Sequence, residues 1–321
     1  MDNVKETKSK APRIGAKNTT SGIMIHVIIA LVPALIFAVY NFGVRALILT
    51  VVCVAACVLF EYAFEKLAKR ENTTGDLTAV VTGIILAFNL PSTLPIWMAV
   101  VGCFVAIVVV KQLFGGYGQN FVNPAVTARA VLLVSFGTQM TKFPIAGTKA
   151  ISVADTICGA TPLERLVSGP KVPSNMDMFI GNISGSLGEV SAAALLIGGI
   201  YLVIKKIICP CIPLAFVGTV ALFAVAVGQD PVFHILAGGV MLGAIFMATD
   251  PTTSPATLVG RIIYGIGCGL ITMLIRVYGT YPEGVSFAII LMNILVPHID
   301  TLTMKKTKKA PKAEAAEGGA N

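Results

Sequence analysis

Apolar residues run in long blocks along this chain, and the polar residues are gathered between them. A helix that crosses a bilayer needs about 20 mostly apolar residues. Ten blocks approach that length, at 23–42, 44–64, 76–91, 94–113, 123–138, 188–205, 211–228, 231–248, 258–277 and 284–300. The pattern predicts an all-α polytopic membrane protein with about ten transmembrane helices. Blocks interrupted by Gly and Pro are predicted to be tilted, broken or re-entrant, because irregular backbone at membrane depth must be buried in protein or line a cavity. The chain divides into a tail (1–22), a first five-helix half (23–138), a polar loop (139–187), a second five-helix half (188–300) and a Lys-rich tail (301–321).

Two polar interruptions look alike. GGYGQNFVNPA at 115–125 precedes the fifth block, and ATDPTTSPA at 248–256 precedes the ninth. Each ends in a polar residue, then Pro, then Ala, before a block carrying Arg129 or Arg261. Asn123 or Ser254 as N-cap with Pro next is good helix-start chemistry. Five spans is an odd number, so two such halves form an inverted repeat with corresponding broken helices.

Charge orients the chain. Both tails are rich in Lys, and Lys66, Lys69, Arg70, Lys111, Lys205 and Lys206 all fall on the tail side under ten spans. The opposite short loops near 41–44, 91–94 and 228–231 lack Lys and Arg. The positive-inside rule therefore predicts cytoplasmic tails and an extracytoplasmic 139–187 loop. The first 21 residues are polar, and no signal-peptide pattern is expected.

Composition agrees: 55% of residues are hydrophobic and only 12% charged, against about 25% charged in soluble domains. The net charge of +8 sits in tails and span flanks without interleaved aromatics, which argues for anionic lipid and against nucleic acid. Seven cysteines lie mostly in apolar runs and include no CxxC pair. Cys209-Pro210-Cys211 supplies at most half of a metal site, and no metal is expected. His26, His234 and His298 are isolated near span ends and read as structural. No HExxH, Walker or GxGxxG pattern occurs, so a nucleotide such as NAD falls to a partner.

Arg129, Asp250 and Arg261 lie near the ends of spans. Such residues either snorkel to the headgroups or serve function. In the functional reading Arg129 and Asp250 join Asn120, Asn123, Thr252 and Thr253 around a central cavity between half-helix entrances. Asp250 is also a candidate to pair with Arg261 or to bind a cation.

The polar loop contains DTICGATPL, residues 155–163. A loop threonine before proline is ordinarily a turn residue. Here Asp155 lies six residues upstream, and Gly159 and Ala160 are expected to leave Thr161 sterically open to a modifying enzyme.

Asp155-Thr156-Ile157-Cys158-Gly159-Ala160-Thr161 resembles the Asp-x-x-[Ser/Thr]-Gly-Ala-Thr signature at which a flavin transferase attaches FMN through its phosphate. Residues 115–125, 246–270 and 276–293 resemble motifs of the family that includes the D subunit of Rnf complexes and the B subunit of sodium-pumping NADH:quinone reductases. The short N-terminal segment favours the Rnf branch. Cys158 stands where that signature more often has Ser or Thr, and transferase recognition is expected to survive the change.

The resemblance implies a one-electron carrier in the bacterial cytoplasmic membrane. Rnf complexes move electrons between ferredoxin and NAD and couple this to Na⁺ or H⁺ export. Thr161 then tethers FMN at the outer face, within reach of a neighbouring flavin-carrying subunit. No complete activity is expected from this subunit alone. The family also suggests a second, non-covalent flavin, riboflavin, in the membrane part. Read without the resemblance, the spans and breaks equally suit a small-solute channel or secondary transporter, which has no use for residues 155–161.

Overall fold

The computed structural model describes residues 19–148, 156–168, 172–189, 191–279 and 283–304. All elements among the described residues are helical, apart from one isolated β-bridge between Pro144 and Cys158. In chain order they are α1 (Thr20–Phe42), α2 (Val44–Leu67), α3 (Thr78–Phe88), α4 (Ile96–Phe104), α5 (Pro124–Ser135), α6 (Gly137–Met140), α7 (Pro162–Ser168) and α8 (Asn175–Ile180). Then come α9 (Ala192–Ile204), α10 (Cys211–Ala226), α11 (Pro231–Leu236), α12 (Val240–Leu242), α13 (Leu258–Tyr278) and α14 (Val285–Thr303). Two of them continue with π winding: α4 through Val105–Gln112 and α12 through Gly243–Met247.

Helices α1, α2, α13 and α14 are long and apolar enough to cross a membrane. Five shorter apolar helices accompany them: Thr78–Phe88, Ile96–Gln112, Pro124–Ser135, Ala192–Ile204 and Cys211–Ala226. Lipid tails are as apolar as Leu, so such helices associate by close packing at small residues. A Cβ on Gly198 of α9 would lie 2.1 Å from the Ala30 carbonyl oxygen of α1. Gly265 and Gly269 are spaced as GxxxG on α13 and touch the α10 backbone in the same way, at Ile212 O and Phe216 O.

The block predicted at 231–248 is interrupted: α11 stops at Leu236, residues 237–239 are non-helical, and the chain re-enters a helix at Val240. Arg276 holds this interruption together by donating to the carbonyls of His234 (2.6 Å) and Ala237 (2.8 Å). The 139–187 loop is not wholly a surface excursion either. Ser184, Ser186 and Leu187 are buried, and Leu187 N and Gly188 N donate to Leu90 O (3.1 Å) and Phe88 O (2.8 Å). Those bonds satisfy carbonyls freed where α3 ends inside the protein.

Two polar breaks follow α3 and the second π segment. Each has an arginine on its free carbonyls: Arg45 donates to Ser92 O (2.5 Å) and Leu94 O (3.2 Å), and Arg261 donates to Pro255 O (3.0 Å). Their sequences run in parallel. Gly83, Pro91, Ser92, Thr93 and Pro95 each have a like residue 160 positions on, at Gly243, Pro251, Thr252, Thr253 and Pro255. The 248–256 break thus shares a local pattern with the segment after α3 as well as with 115–125. The expected Ser254-Pro255 helix start is displaced. Thr257 caps α13 by accepting from Gly260 N at 3.0 Å, and the Pro255 carbonyl accepts from Arg261. Asn123 caps α5 as expected, accepting from Ala125 N (3.1 Å) and Val126 N (3.3 Å).

Candidate functional site

Asp155 lies outside the described residues. The rest of the attachment motif is pinned in an extended course beside residues 143–145. Ile145 N donates to Ile157 O (3.0 Å) and Gly159 N to Phe143 O (2.9 Å). Cys158 is exposed. Gly159 is needed for close approach, since a Cβ there would sit 2.8 Å from Ile145 and 3.0 Å from Ser184 Oγ.

Thr161 is not sterically open. It is 5% exposed and caps α7. Its Oγ accepts from Glu164 N (3.3 Å), while its own N donates to Glu164 Oε2 (2.9 Å). This Thr-x-x-Glu capping box satisfies two donors reciprocally. Gly159 therefore serves packing, and the hydroxyl is covered rather than open to solvent.

Behind Thr161 lies a small cavity of about 30 Å³, lined by Arg129, Met140, Phe143, Glu164 and Glu283 among others. Arg129, expected near the breaks, is here instead, because α5 carries it beyond the first turn that Asn123 caps. It is 3% exposed. Nη1 donates to Ser286 Oγ (3.0 Å) and Nη2 to Glu283, and Glu189 Oε1 stands 3.2 Å from Nη2 as a further ion pair. Arg129 Nε is buried without a hydrogen-bond partner. Sequence alone did not single out Glu189, Glu283 or Ser286. Their signal was acids bordering apolar runs, where burial demands a partner.

A second cavity, of about 110 Å³, has mostly apolar walls from Met24, Val27, Val81, Ile85, Ile245 and Phe246. Lys111, Tyr117, Asn120, Asn123, Asp250 and Thr252 also line it. Of the expected set, Arg129 and Thr253 are not among its lining. Thr253 is instead joined to Asn123 through Asn293. With its amide oriented to satisfy every partner, Asn293 accepts from Asn123 N (3.0 Å) and donates to Thr253 O (3.2 Å). Asn120 donates to Thr252 Oγ at 3.4 Å. Asp250 does not pair with Arg261: its carboxylate accepts from Thr252 N (3.2 Å), Thr252 Oγ (2.9 Å) and Thr253 Oγ (3.4 Å). A buried lysine borders this cavity. Lys111 donates to Glu61 (2.5 Å) and Thr78 Oγ (2.7 Å), and Gln112 donates to Glu61 (3.0 Å) and Glu65 (3.4 Å).

Cys209 and Cys211 are bonded to each other, and no group of three metal-ligating side chains occurs among the described residues. His26 Nδ1 meets Tyr201 Oη and His234 Nε2 meets Gln229 Oε1, both at 2.7 Å, as suits structural residues.

The profile of the NQR2, RnfD, RnfE family matches residues 7–309. The chain belongs to this family. A relative from Acetobacterium woodii, named as the D subunit of a Na(+)-translocating ferredoxin:NAD(+) oxidoreductase complex, is 51% identical over 323 residues, covering 98% of this chain and 100% of the relative. One from Clostridium ljungdahlii, named as the D subunit of a proton-translocating ferredoxin:NAD(+) oxidoreductase complex, is 40% identical over 314 residues, with coverages of 92% and 94%. The D subunit of an ion-translocating oxidoreductase complex from Stutzerimonas stutzeri is 38% identical over 320 residues, with coverages of 88% and 90%. Within this family the chain is a multi-pass membrane protein, and the match takes in Thr161, both breaks and both cavities.

Proposed function

We propose that this chain is the D subunit of an Rnf-type, ion-translocating ferredoxin:NAD oxidoreductase complex in the bacterial cytoplasmic membrane. The observation that carries this is the 51% identity over nearly the whole of both chains to a relative of that name. The subunit holds FMN as a phosphoester on Thr161 and serves electron transfer coupled to Na⁺ or H⁺ export. In the attachment reaction a flavin transferase forms a P–O bond to Thr161 Oγ, breaks the bond from phosphorus to the donor's leaving group, and the hydroxyl proton is lost.

The residues fit the phosphate. A buried guanidinium with an unpartnered donor lines the cavity that Thr161 also lines, and guanidinium suits phosphate oxygens in charge and shape. The isoalloxazine ring does not fit a space of about 30 Å³. A groove of about 480 Å³ adjoins Thr161 and offers apolar room from Ile145, Pro162, Val172 and Ile183. FMN supplies the redox chemistry when bound. The protein retains it, keeps it near its exchange partner and tunes its potential.

The second cavity suits riboflavin, an uncharged ring system with donors and acceptors on its edge. Its apolar walls and the convergent Asn120, Asn123, Asp250 and Thr252 support that reading. The ten-span arrangement of inverted halves is supported by the parallel breaks 160 positions apart, each held by an arginine. It puts both tails in the cytoplasm and Thr161 outside.

Intact-mass analysis of the subunit, purified from a host with the transferase, is expected to show one FMN that is absent from Thr161→Ala. An unmodified wild-type mass refutes the tether. Alkaline-phosphatase fusions are expected to be active at residue 160 and inactive at 70, 206 and 310. Activity at 206 refutes the ten-span arrangement.

A further inference from the structure

We propose that Arg129 is the positioning residue for the flavin phosphate at Thr161, and that Glu283 occupies its place until the phosphate arrives. This rests on the reading that Thr161 carries FMN.

Arg129 and Thr161 come from distant parts of the chain and line one cavity. Arg129 is the cation facing that space, and it is 3% exposed. Its Nε has no partner there. A buried guanidinium donor left unpaired is costly, and a phosphodiester oxygen is the chemistry that would complete it.

The two carboxylates already on Arg129 are not equivalent. Glu189 is fixed, with its side chain 3% exposed. It also packs against the Gly238-Gly239 turn. A Cβ on Gly239 would be 2.8 Å from Glu189 Oε1 and 3.8 Å from Arg129 Nη1, and one on Gly238 would be 3.0 Å from Arg276 Nη2. Glu283 is 15% exposed and stands in the turn just before α14. Water can therefore take up the Glu283 carboxylate when it is released, and Glu189 keeps its ion pair with Arg129. Replacing Glu283 by a phosphodiester exchanges one negative charge for another, so no net charge is added to the buried network.

Arg165 is the competing cation. It donates to Ala160 O at 3.2 Å and lines the wider groove. Glu164 also faces the cavity, and its Oε2 accepts from Thr161 N.

The test uses the purified complex, with variants Arg129→Gln, Glu283→Gln and Arg165→Gln, and reads two properties of the attached flavin. Phosphorus NMR is expected to show a displaced phosphodiester resonance in Arg129→Gln and Glu283→Gln, and a wild-type resonance in Arg165→Gln. The flavin reduction potential is expected to fall in Arg129→Gln, which removes a nearby cation. It is expected to rise in Glu283→Gln, which frees that cation for the phosphate. Shifts of the same sign in both, no shift in either, or a resonance that follows Arg165 overturn the proposal. If Arg129→Gln does not assemble, Glu283→Gln decides alone: a rise in potential supports the proposal, and no change or a fall overturns it. A wild-type subunit without FMN is a different failure, because it refutes the tether itself.

Discussion

Lys111 and Arg129 are both buried cations in a largely apolar protein, and both networks leave a carboxylate oxygen without a hydrogen bond, Glu61 Oε2 and Glu189 Oε1, but only on Arg129 is the cation itself left with an unpartnered donor. Around Lys111 the ammonium is held from two helices. The side chain reaches Glu61 and Thr78, Gln112 bridges Glu61 and Glu65, and the exposures of Lys111 and Glu61 are 2% and 0%. The atom left over there is an acceptor, Glu61 Oε2. Around Arg129 the atom left over on the cation is a donor, Nε, and one partner, Glu283, touches water. The first network clamps α2, α3 and the π segment, which carries Lys111 and Gln112, to one another. The second is built to exchange one anion for another. A buried ion pair is thus not one kind of feature. The unpaired atom and the exposure of the weaker partner separate a fastening from a binding site.

The comparison breaks most visibly at Thr161. Thr161→Ala is expected to abolish flavin attachment, ferredoxin-dependent NAD reduction and coupled ion transport in a complex of normal subunit composition. Because Thr161 caps α7, the same change is also expected to cost about 1 kcal/mol; this is more than a surface substitution costs. Intact mass, an activity assay and a melting curve check these together. Wild-type coupled transport from the variant would remove the functional half of the contrast.

The next largest effect falls on the other network. Lys111→Met leaves Glu61 as an uncompensated buried carboxylate, and an expected loss of about 3–5 kcal/mol follows. Pairing it with Glu61→Leu is expected to recover most of that loss, because both charges are then gone. Thermal unfolding of the purified subunit measures both. A single variant as stable as wild type would show that this network is not a fastening.

Glu283→Gln is expected to cost less stability than Glu189→Gln, since its side chain is 15% exposed against 3%. Equal losses would erase the asymmetry between the two acids.

The smallest effect is on acidification. Asp230 accepts from Asn175 Nδ2 (3.0 Å) and from Val232 N (2.9 Å). These bonds, the one from Asn175 foremost, hold its carboxyl below the usual carboxylate range. A depressed folded-state pKa contributes stability above the unfolded pKa and loses it as pH falls through the folded one. Hydrogen exchange at α8 and α11 is therefore expected to quicken below the usual carboxylate pKa, and Asn175→Ala is expected to show the faster exchange already at neutral pH. Neither site's flavin-related properties should follow this titration.

Much of the protein is legible in one dimension. Apolar block lengths mark the membrane helices because the bilayer imposes a length and excludes charge. The Asn123-Pro124 helix start is a local bond between neighbours and is found where the sequence puts it. Residues 155–161 point to a modification only through their resemblance to a known attachment signature. What only the tertiary structure decided is every contact between distant segments. Arg129 lies 154 residues from Glu283, Lys111 lies 50 from Glu61, and no periodicity couples such pairs. Thr161 read as an open loop residue because exposure is a property of what packs over a residue, and here that cover comes from α5, α6 and residues 143–145. The breaks are a middle case. Their parallel sequences are visible along the chain, but that one follows α3 and the other the second π segment is seen only in the fold.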